Sequence, residues 1–252
     1  MKISVCGKGG SGKSSIVALM AHEAVARGYR VLVVDSDESN TGLYRILGFD
    51  RPPSPLMDLL GGKKALKEKM GQPGLLSGDN VPIDAIPPQH ILKQDGLMLL
   101  SIGKILQSLE GCACPMGVLS REFLKKLSLA DKELAIVDME AGVEHFGRGV
   151  ETSIDGVLIV VEPSVESLEL AGRVKDLAKS IDINRIWAVL NKVPSPAVAD
   201  KLQAGVKKMG IQAAGIIHLD EAVSLASLEG AALKDGRAAA EIKPVLDAIL
   251  KA

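Results

Sequence analysis

Short, nearly continuous apolar runs recur along the chain, at Met1 to Cys6, Arg30 to Asp35, Leu97 to Ile102, Leu134 to Asp138, Gly156 to Val161, Arg185 to Leu190 and Ala213 to Ile217. Runs of this kind, without polar alternation, predict strands covered on both faces, as in a mostly parallel sheet. Between them the apolar positions switch to helical spacing. Ile16, Leu19, Met20 and Ala24 place a helix over Ser14 to Arg27, and Pro163 to Ser180, Pro196 to Lys208 and Ala239 to Lys251 read as further helices. The first two of those three open with Pro near the first turn, where its missing N–H is harmless. This alternation predicts a single α/β domain over residues 1–252, with helices on both faces of the sheet. Arg51 to Gln94 interrupts the pattern: prolines cluster there around a short Lys-rich helix, which predicts an insertion that is mobile or faces a partner. Its Lys63, Lys64, Lys67 and Lys69 read as a solvated helix face in preference to a docking patch.

The link from the first apolar run to the first helix is Gly7-Lys8-Gly9-Gly10-Ser11-Gly12-Lys13-Ser14. It matches the phosphate-binding loop G-x-x-x-x-G-K-[ST], whose glycines let backbone N–H groups turn inward around phosphates that a Cβ would obstruct. Strand, glycine loop and helix in that order is the setting the motif needs. The fold class is therefore a P-loop NTPase. ATP and Mg²⁺ are its expected ligands, and Gly7, Gly9, Gly10, Ser11, Gly12, Lys13, Ser14 and Ser15 form the nucleotide-binding set. Lys13 would reach the β and γ phosphates, and the Ser14 hydroxyl would hold Mg²⁺. Two strand ends offer further acidic groups, Asp35 with Asp37 and, separately, Asp138. Acidic residues also terminate strands without any catalytic duty, but beside a P-loop they read as candidates for Mg²⁺ (Asp35, Asp138) and for orienting water (Asp37).

Composition narrows the partners. The chain has 252 residues, 47% of them hydrophobic, enough for one sizeable core. A formal net charge of −1 and 2% aromatic residues give nucleic acid little to bind. The chain opens on a strand and not on a signal peptide, and the apolar stretch Val157 to Val161 is far too short to span a membrane, so a cytoplasmic address with no membrane partner is expected.

Of the three cysteines, Cys112 and Cys114 lie one residue apart between Gly111 and Pro115, and Cys6 reads as a small buried hydrophobe in the first strand. Two thiolates in one turn can converge on Ni²⁺ or Zn²⁺, but a tetrathiolate needs two more, and a second copy of the chain is the simplest source. Unliganded loop thiols are an equal reading of the same spacing. His145 reads as a structural residue or as an aid to metal transfer; His22, His90 and His218 show no partner in the sequence.

Lys8, ahead of the double glycine, makes the loop resemble the deviant Walker A family, which includes the Min, Par, nitrogenase-reductase-like and Get proteins. That resemblance implies a homodimer in which Lys8 reaches the partner's nucleotide, Asp37 acts on the water, and Asn191, placed just after a strand ending at Leu190, contacts adenine. An ordinary strand-exit Asn fits that spacing nearly as well. The chain departs from the Min and Par pattern with Glu38 after the Asp35-Ser36-Asp37 pair. Gly111-Cys112-Ala113-Cys114-Pro115, together with Asp138-Met139-Glu140-Ala141-Gly142-Val143-Glu144-His145, resembles the CooC-type ATPases. The resemblance implies nickel or zinc held by the cysteines across a dimer, with apo carbon monoxide dehydrogenase as client. An iron–sulfur ATPase for electron transfer or cluster delivery, a maturation ATPase for acetyl-CoA synthase and, least favoured, a positioning ATPase are the alternatives.

Overall fold

A computed structural model describes residues 1–69, 76, 78–105 and 114–251. Chain order runs β1 (Lys2–Gly7), α1 (Lys13–Ala26), β2 (Arg30–Asp35), α2 (Leu43–Ile46), α3 (Gly62–Lys69), β3 (Val81–Pro82), β4 (Ile91–Gln94), β5 (Leu97–Ser101), α4 (Cys114–Lys126), β6 (Leu127–Ser128), β7 (Glu133–Asp138) and α5 (Glu144–Gly147). It continues through β8 (Gly156–Val161), α6 (Val165–Ser180), β9 (Ile186–Val193), α7 (Pro196–Lys208), β10 (Gln212–His218), α8 (Glu221–Glu229) and α9 (Arg237–Leu250). Eight strands form one sheet in the order β10-β9-β8-β1-β7-β2-β5-β4. All neighbours are parallel except β4 and β5, which form a hairpin. Its turn is Asp95-Gly96 with φ of 49° and 88°, the left-handed pair that a two-residue hairpin loop requires.

Each strand divides its side chains between two cores. Ile3, Val5, Val31 and Val33 pack with Ile16, Met20, Ile242 and Leu246 from α1 and α9. Cys6, Leu32 and Val34 point the other way, toward Met116 and Phe123 of α4 and the buried faces of α6 and α7. Both faces are covered, which is why the strands carry no polar alternation. The C-terminal α9 buries Ile242, Val245, Leu246 and Ile249, at about 1.5–3 kcal/mol each. No described helix is long and apolar enough to cross a membrane.

Three expectations change. The described part of the Pro-rich insertion is no loose appendage, because Leu56, Leu66, Leu76, Ile83, Ile86 and Ile91 are buried in the α4-side core. β9 runs on through Asn191 and Lys192 to Val193, beyond the expected end at Leu190. The helix after β8 starts at Val165 with Ser164 as its cap, accepting from the Ser167 N–H, so Pro163 precedes the helix.

Gly156 opens β8 directly beneath Trp187, the single tryptophan: a Cβ there would lie 2.5 Å from Trp187 Cζ3 and 3.1 Å from the Arg185 carbonyl oxygen. Gly156→Ala should therefore destabilise the chain by about 1–3 kcal/mol through overpacking. Trp187→Phe removes the clashing ring atoms, so the double variant should lose less than the sum of the two singles in denaturant unfolding. Strict additivity would remove this packing account.

Candidate functional site

The order of the sheet sets the site. β1 lies between β7 and β8, so a crevice opens at its carboxyl end, where connections leave in opposite directions. Gly7 to Gly12 turn there into α1. Gly7 allows no side chain, since its Cβ would meet the Val160 carbonyl oxygen at 2.7 Å, and Gly12 at φ 93° would meet Asn191 Nδ2 at 2.4 Å. Gly10, at φ 77°, faces open space. The result is a backbone cradle at a helix N-terminus, an arrangement that suits phosphate. Lys13 is 7% exposed, and its ammonium reaches the Lys8 carbonyl oxygen at a long 3.4 Å. A buried cation so weakly held suits an incoming anion.

Asp138 ends β7 opposite Val5 of β1 and Asp35 of β2. It is fully buried; its Oδ2 accepts from Ser14 Oγ at 2.6 Å, while Oδ1 has no hydrogen-bond partner among the described residues. Burial raises its pKa to about 7, with nearby Asp35 adding to the rise and the Ser14 hydroxyl opposing it. Asp35 is likewise lifted by burial to about 6, though Lys104 opposes the shift from 2.7 Å. An orphaned carboxylate oxygen beside a serine hydroxyl is a hard-oxygen donor set that fits Mg²⁺, and Asn40 Nδ2 holds the same hydroxyl at 2.8 Å.

Asp37 Oδ1 accepts from Ser39 N–H at 2.9 Å, Ser39 Oγ at 2.6 Å and Asn40 N–H at 3.3 Å. One carboxylate oxygen thus shapes the turn that follows it. Lys104 braces that turn by donating to the carbonyl oxygens of Asp37 and Asn40. Glu38 faces the Glu140 carboxylate, and burial together with that like charge raises its pKa to about 7. Glu140 in turn accepts from Arg148 Nη1 at 2.5 Å.

Lys8 does not point away from its own chain: its ammonium pairs with Glu162 Oε1 at 3.1 Å, and Lys192 approaches Glu162 Oε2 at 3.8 Å. Asn191 is buried within β9, where Nδ2 donates to the Ser11 carbonyl oxygen at 2.8 Å. It also lines a small cavity with Ser15, Ile217, Leu219 and Asp220 beside the loop. Cys112 lies outside the described residues. Cys114 is exposed at the start of α4 and is disulfide-bonded.

The phosphate loop, Asp35, Asp37, Asp138 and Asn191 therefore converge on one crevice. Lys104, Asn40 and Glu162 join them with no motif to announce them. His145 is buried and hydrogen-bonded, as a structural histidine would be, and Cys6 is buried in the first strand as expected, but its Sγ contacts His145 Nε2 at 3.3 Å in the core behind the loop, so the thiol is more than a packing group. His218, without a visible sequence partner, pairs with Glu241 at 2.8 Å.

Residues 3–233 match the family model described as the CobQ/CobB/MinD/ParA nucleotide binding domain. An uncharacterised ATP-binding protein of Methanocaldococcus jannaschii is 46% identical over 198 residues, covering 77% of this chain and 79% of that protein. The carbon monoxide dehydrogenase accessory protein CooC of Rhodospirillum rubrum is 36% identical over 203 residues, covering 78% of this chain and 76% of that protein. Among solved structures, the MinD cell division protein of Aquifex aeolicus superposes with a TM-score of 0.71 at 20% identity, covering 100% of this chain and 97% of that one. MinD of Pyrococcus horikoshii, complexed with Mg-ADP, gives 0.70 at 18% identity, covering 98% and 94%.

Asp138 yields a prediction with a definite sign. Its folded pKa is raised, so the folded chain keeps a proton that the unfolded chain releases above about pH 4; this stability is complete below that pH and is lost as pH rises through about 7. Asp138→Asn should stabilise the ligand-free protein by up to about 4 kcal/mol at pH 8 and by about 1–2 kcal/mol at pH 5, while abolishing Mg²⁺-dependent ATP hydrolysis. Thermal melts at the two pH values test this; a gain independent of pH would contradict it.

Proposed function

The chain belongs to the CobQ/CobB/MinD/ParA nucleotide-binding family and is an ATP-binding P-loop ATPase, and from that premise we propose that it is a metallochaperone. In this reading ATP hydrolysis controls a nickel or zinc site built from Cys112 and Cys114 at a homodimer interface. Its client is apo carbon monoxide dehydrogenase, by similarity to the accessory protein CooC.

Cys114 supports this reading through its position. It begins α4, and Ser120 on that helix hydrogen-bonds Ser36 at 2.9 Å, between Asp35 and Asp37. The same helix carries Arg121, which donates to the Arg148 carbonyl oxygen at 3.2 Å, and Gly117, against which the Arg148 side chain packs. Lys104, which precedes the cysteines in the chain, grips Asp35 and the Asp37–Asn40 turn. A change in the acidic segments that face the nucleotide is thus passed to the helix that Cys114 opens.

Hydrolysis follows from the residues in the crevice. The loop N–H groups and Lys13 would hold the phosphates, and Ser14 and Asp138, with Asp35, would hold Mg²⁺, which would supply neutralisation of phosphate charge. Asp37 orients the water that attacks the γ-phosphorus, releasing ADP and phosphate. Lys8 leaves Glu162 to meet the partner's nucleotide, placing a cation where charge develops only when two loaded subunits face each other. The cysteine site takes metal in its reduced form, since a disulfide sulfur is no thiolate ligand.

Metal analysis of the reduced dimer should show that Cys112→Ala or Cys114→Ala removes one Ni²⁺ or Zn²⁺ per two chains, and that ATP and ADP set affinities differing at least about 5-fold. Unchanged metal content would overturn the reading, and broad visible absorbance after anaerobic purification would replace it with an iron–sulfur one. Lys8→Ala should leave ATP binding intact while abolishing ATP-dependent dimerisation in sedimentation velocity. A variant that still dimerises would remove Lys8 from the interface.

A further inference from the structure

Behind the phosphate loop, three side chains from separate elements meet in the core: Cys6 from β1, His145 from α5 and Glu151 from the 3-10 turn Val150–Ser153. None is more than 1% exposed in relative area. His145 Nε2 lies 3.3 Å from Cys6 Sγ and 2.9 Å from Glu151 Oε1, and the ligand atoms of all three lie within 4.8 Å of one another.

Hydrogen bonding alone serves this group poorly. One ring nitrogen, His145 Nε2, is the near neighbour of both the Cys6 sulfur and Glu151 Oε1 and carries at most one proton. Beyond that approach, neither Glu151 carboxylate oxygen nor His145 Nδ1 has a hydrogen-bond partner among the described residues. A fully buried carboxylate with one imidazole as its sole polar neighbour there is an expensive arrangement for a protein interior. A divalent cation changes this, because it takes all three donors at once. With a thiolate, a carboxylate and a neutral imidazole, it leaves the buried cluster with no net charge.

We propose that Cys6, His145 and Glu151 form a second, internal site for a borderline divalent transition-metal ion of the Zn²⁺, Co²⁺, Ni²⁺ class. Sulfur, imidazole and carboxylate ligands together suit that class and not Mg²⁺ or Ca²⁺. A tetrahedral ion with bonds of about 2.0–2.3 Å holds its ligand atoms about 3.3–3.7 Å apart, within the range these atoms span. Ser4 Oγ, 3.1 Å from the Cys6 sulfur, supports the thiolate from behind.

The position gives the ion a consequence. Cys6 directly precedes Gly7 of the phosphate loop, and His145 and Glu151 follow Asp138 along the chain, so one ion clamps the segment after β7 to the strand that carries the loop. Gly142 at φ 94° and Gly149 at φ 70° bracket α5 with backbone conformations that side chains rarely adopt. This site is independent of the cysteine pair at α4 and stands or falls separately from it.

The test uses the full chain carrying Cys112→Ser and Cys114→Ser, in which Cys6 is the only remaining thiol. Reduced, chelator-stripped protein is titrated anaerobically with Co²⁺, with and without ATP. A near-ultraviolet thiolate-to-cobalt charge-transfer band saturating at about one Co²⁺ per chain is expected. His145→Gln or Glu151→Gln in that background should weaken binding at least about 10-fold with native circular dichroism. Absence of the band both with and without ATP would overturn the proposal, whether or not cobalt binds elsewhere. So would a band unmoved by either substitution. Should those variants fail to fold, cobalt X-ray absorption on the parent decides: one sulfur with nitrogen and oxygen neighbours supports the site, and an all-oxygen shell refutes it.

Discussion

A carboxyl group held inside the protein governs this structure. Asp138 sits at the carboxyl end of a central strand with no solvent exposure, tied to Ser14 by one oxygen and to nothing by the other. Without a cation that arrangement favours the protonated acid; with one it becomes a ligand, and the difference ties the stability of the crevice to what occupies it. The sheet order makes this possible, because β7 lies next to β1 and so brings its carboxyl end beside the phosphate loop.

The other carboxylates are managed differently. Asp35 has Lys104 as a counterion, Asp37 spends one oxygen on the turn that follows it, and Glu38 and Glu140 face each other with Arg148 behind. The two acidic segments are thus joined to each other and, through Ser36 with Ser120 and through Arg148 with Arg121 and Gly117, to the helix that Cys114 opens. Under the proposed function α4 is the element that would couple the two sites, since it is packed and hydrogen-bonded to both acidic segments.

The phosphate loop was legible because it is local: glycine spacing, a strand before it and a helix after it all fall within one stretch of chain. The strand ends at Asp35 and Asp138 were legible for the same reason. The extent of β9 was not legible, since Asn and Lys are poor strand residues: the ladder with β8 ends at Leu190, and past an irregularity at Asn191 and Lys192 it is Val193 that pairs again, with His218 of β10. The packing of the Pro-rich segment was not legible for a similar reason. Prolines suggested a loose insertion, while its scattered leucines and isoleucines find a core that only the folded chain supplies.

What the sequence determined by itself is therefore the short-range chemistry: the nucleotide cradle, the α/β alternation that positions it, and the acidic residues at the strand ends. What tertiary structure decided is the pairing of charges and ligands over long separations. Lys8 with Glu162, Lys104 with Asp35, and Cys6 with His145 lie 154, 69 and 139 residues apart. No periodicity or motif encodes such pairs. They arise because a parallel sheet brings the same ends of distant strands to one edge, and burial there obliges each charged or polar group to find whatever partner the packing provides.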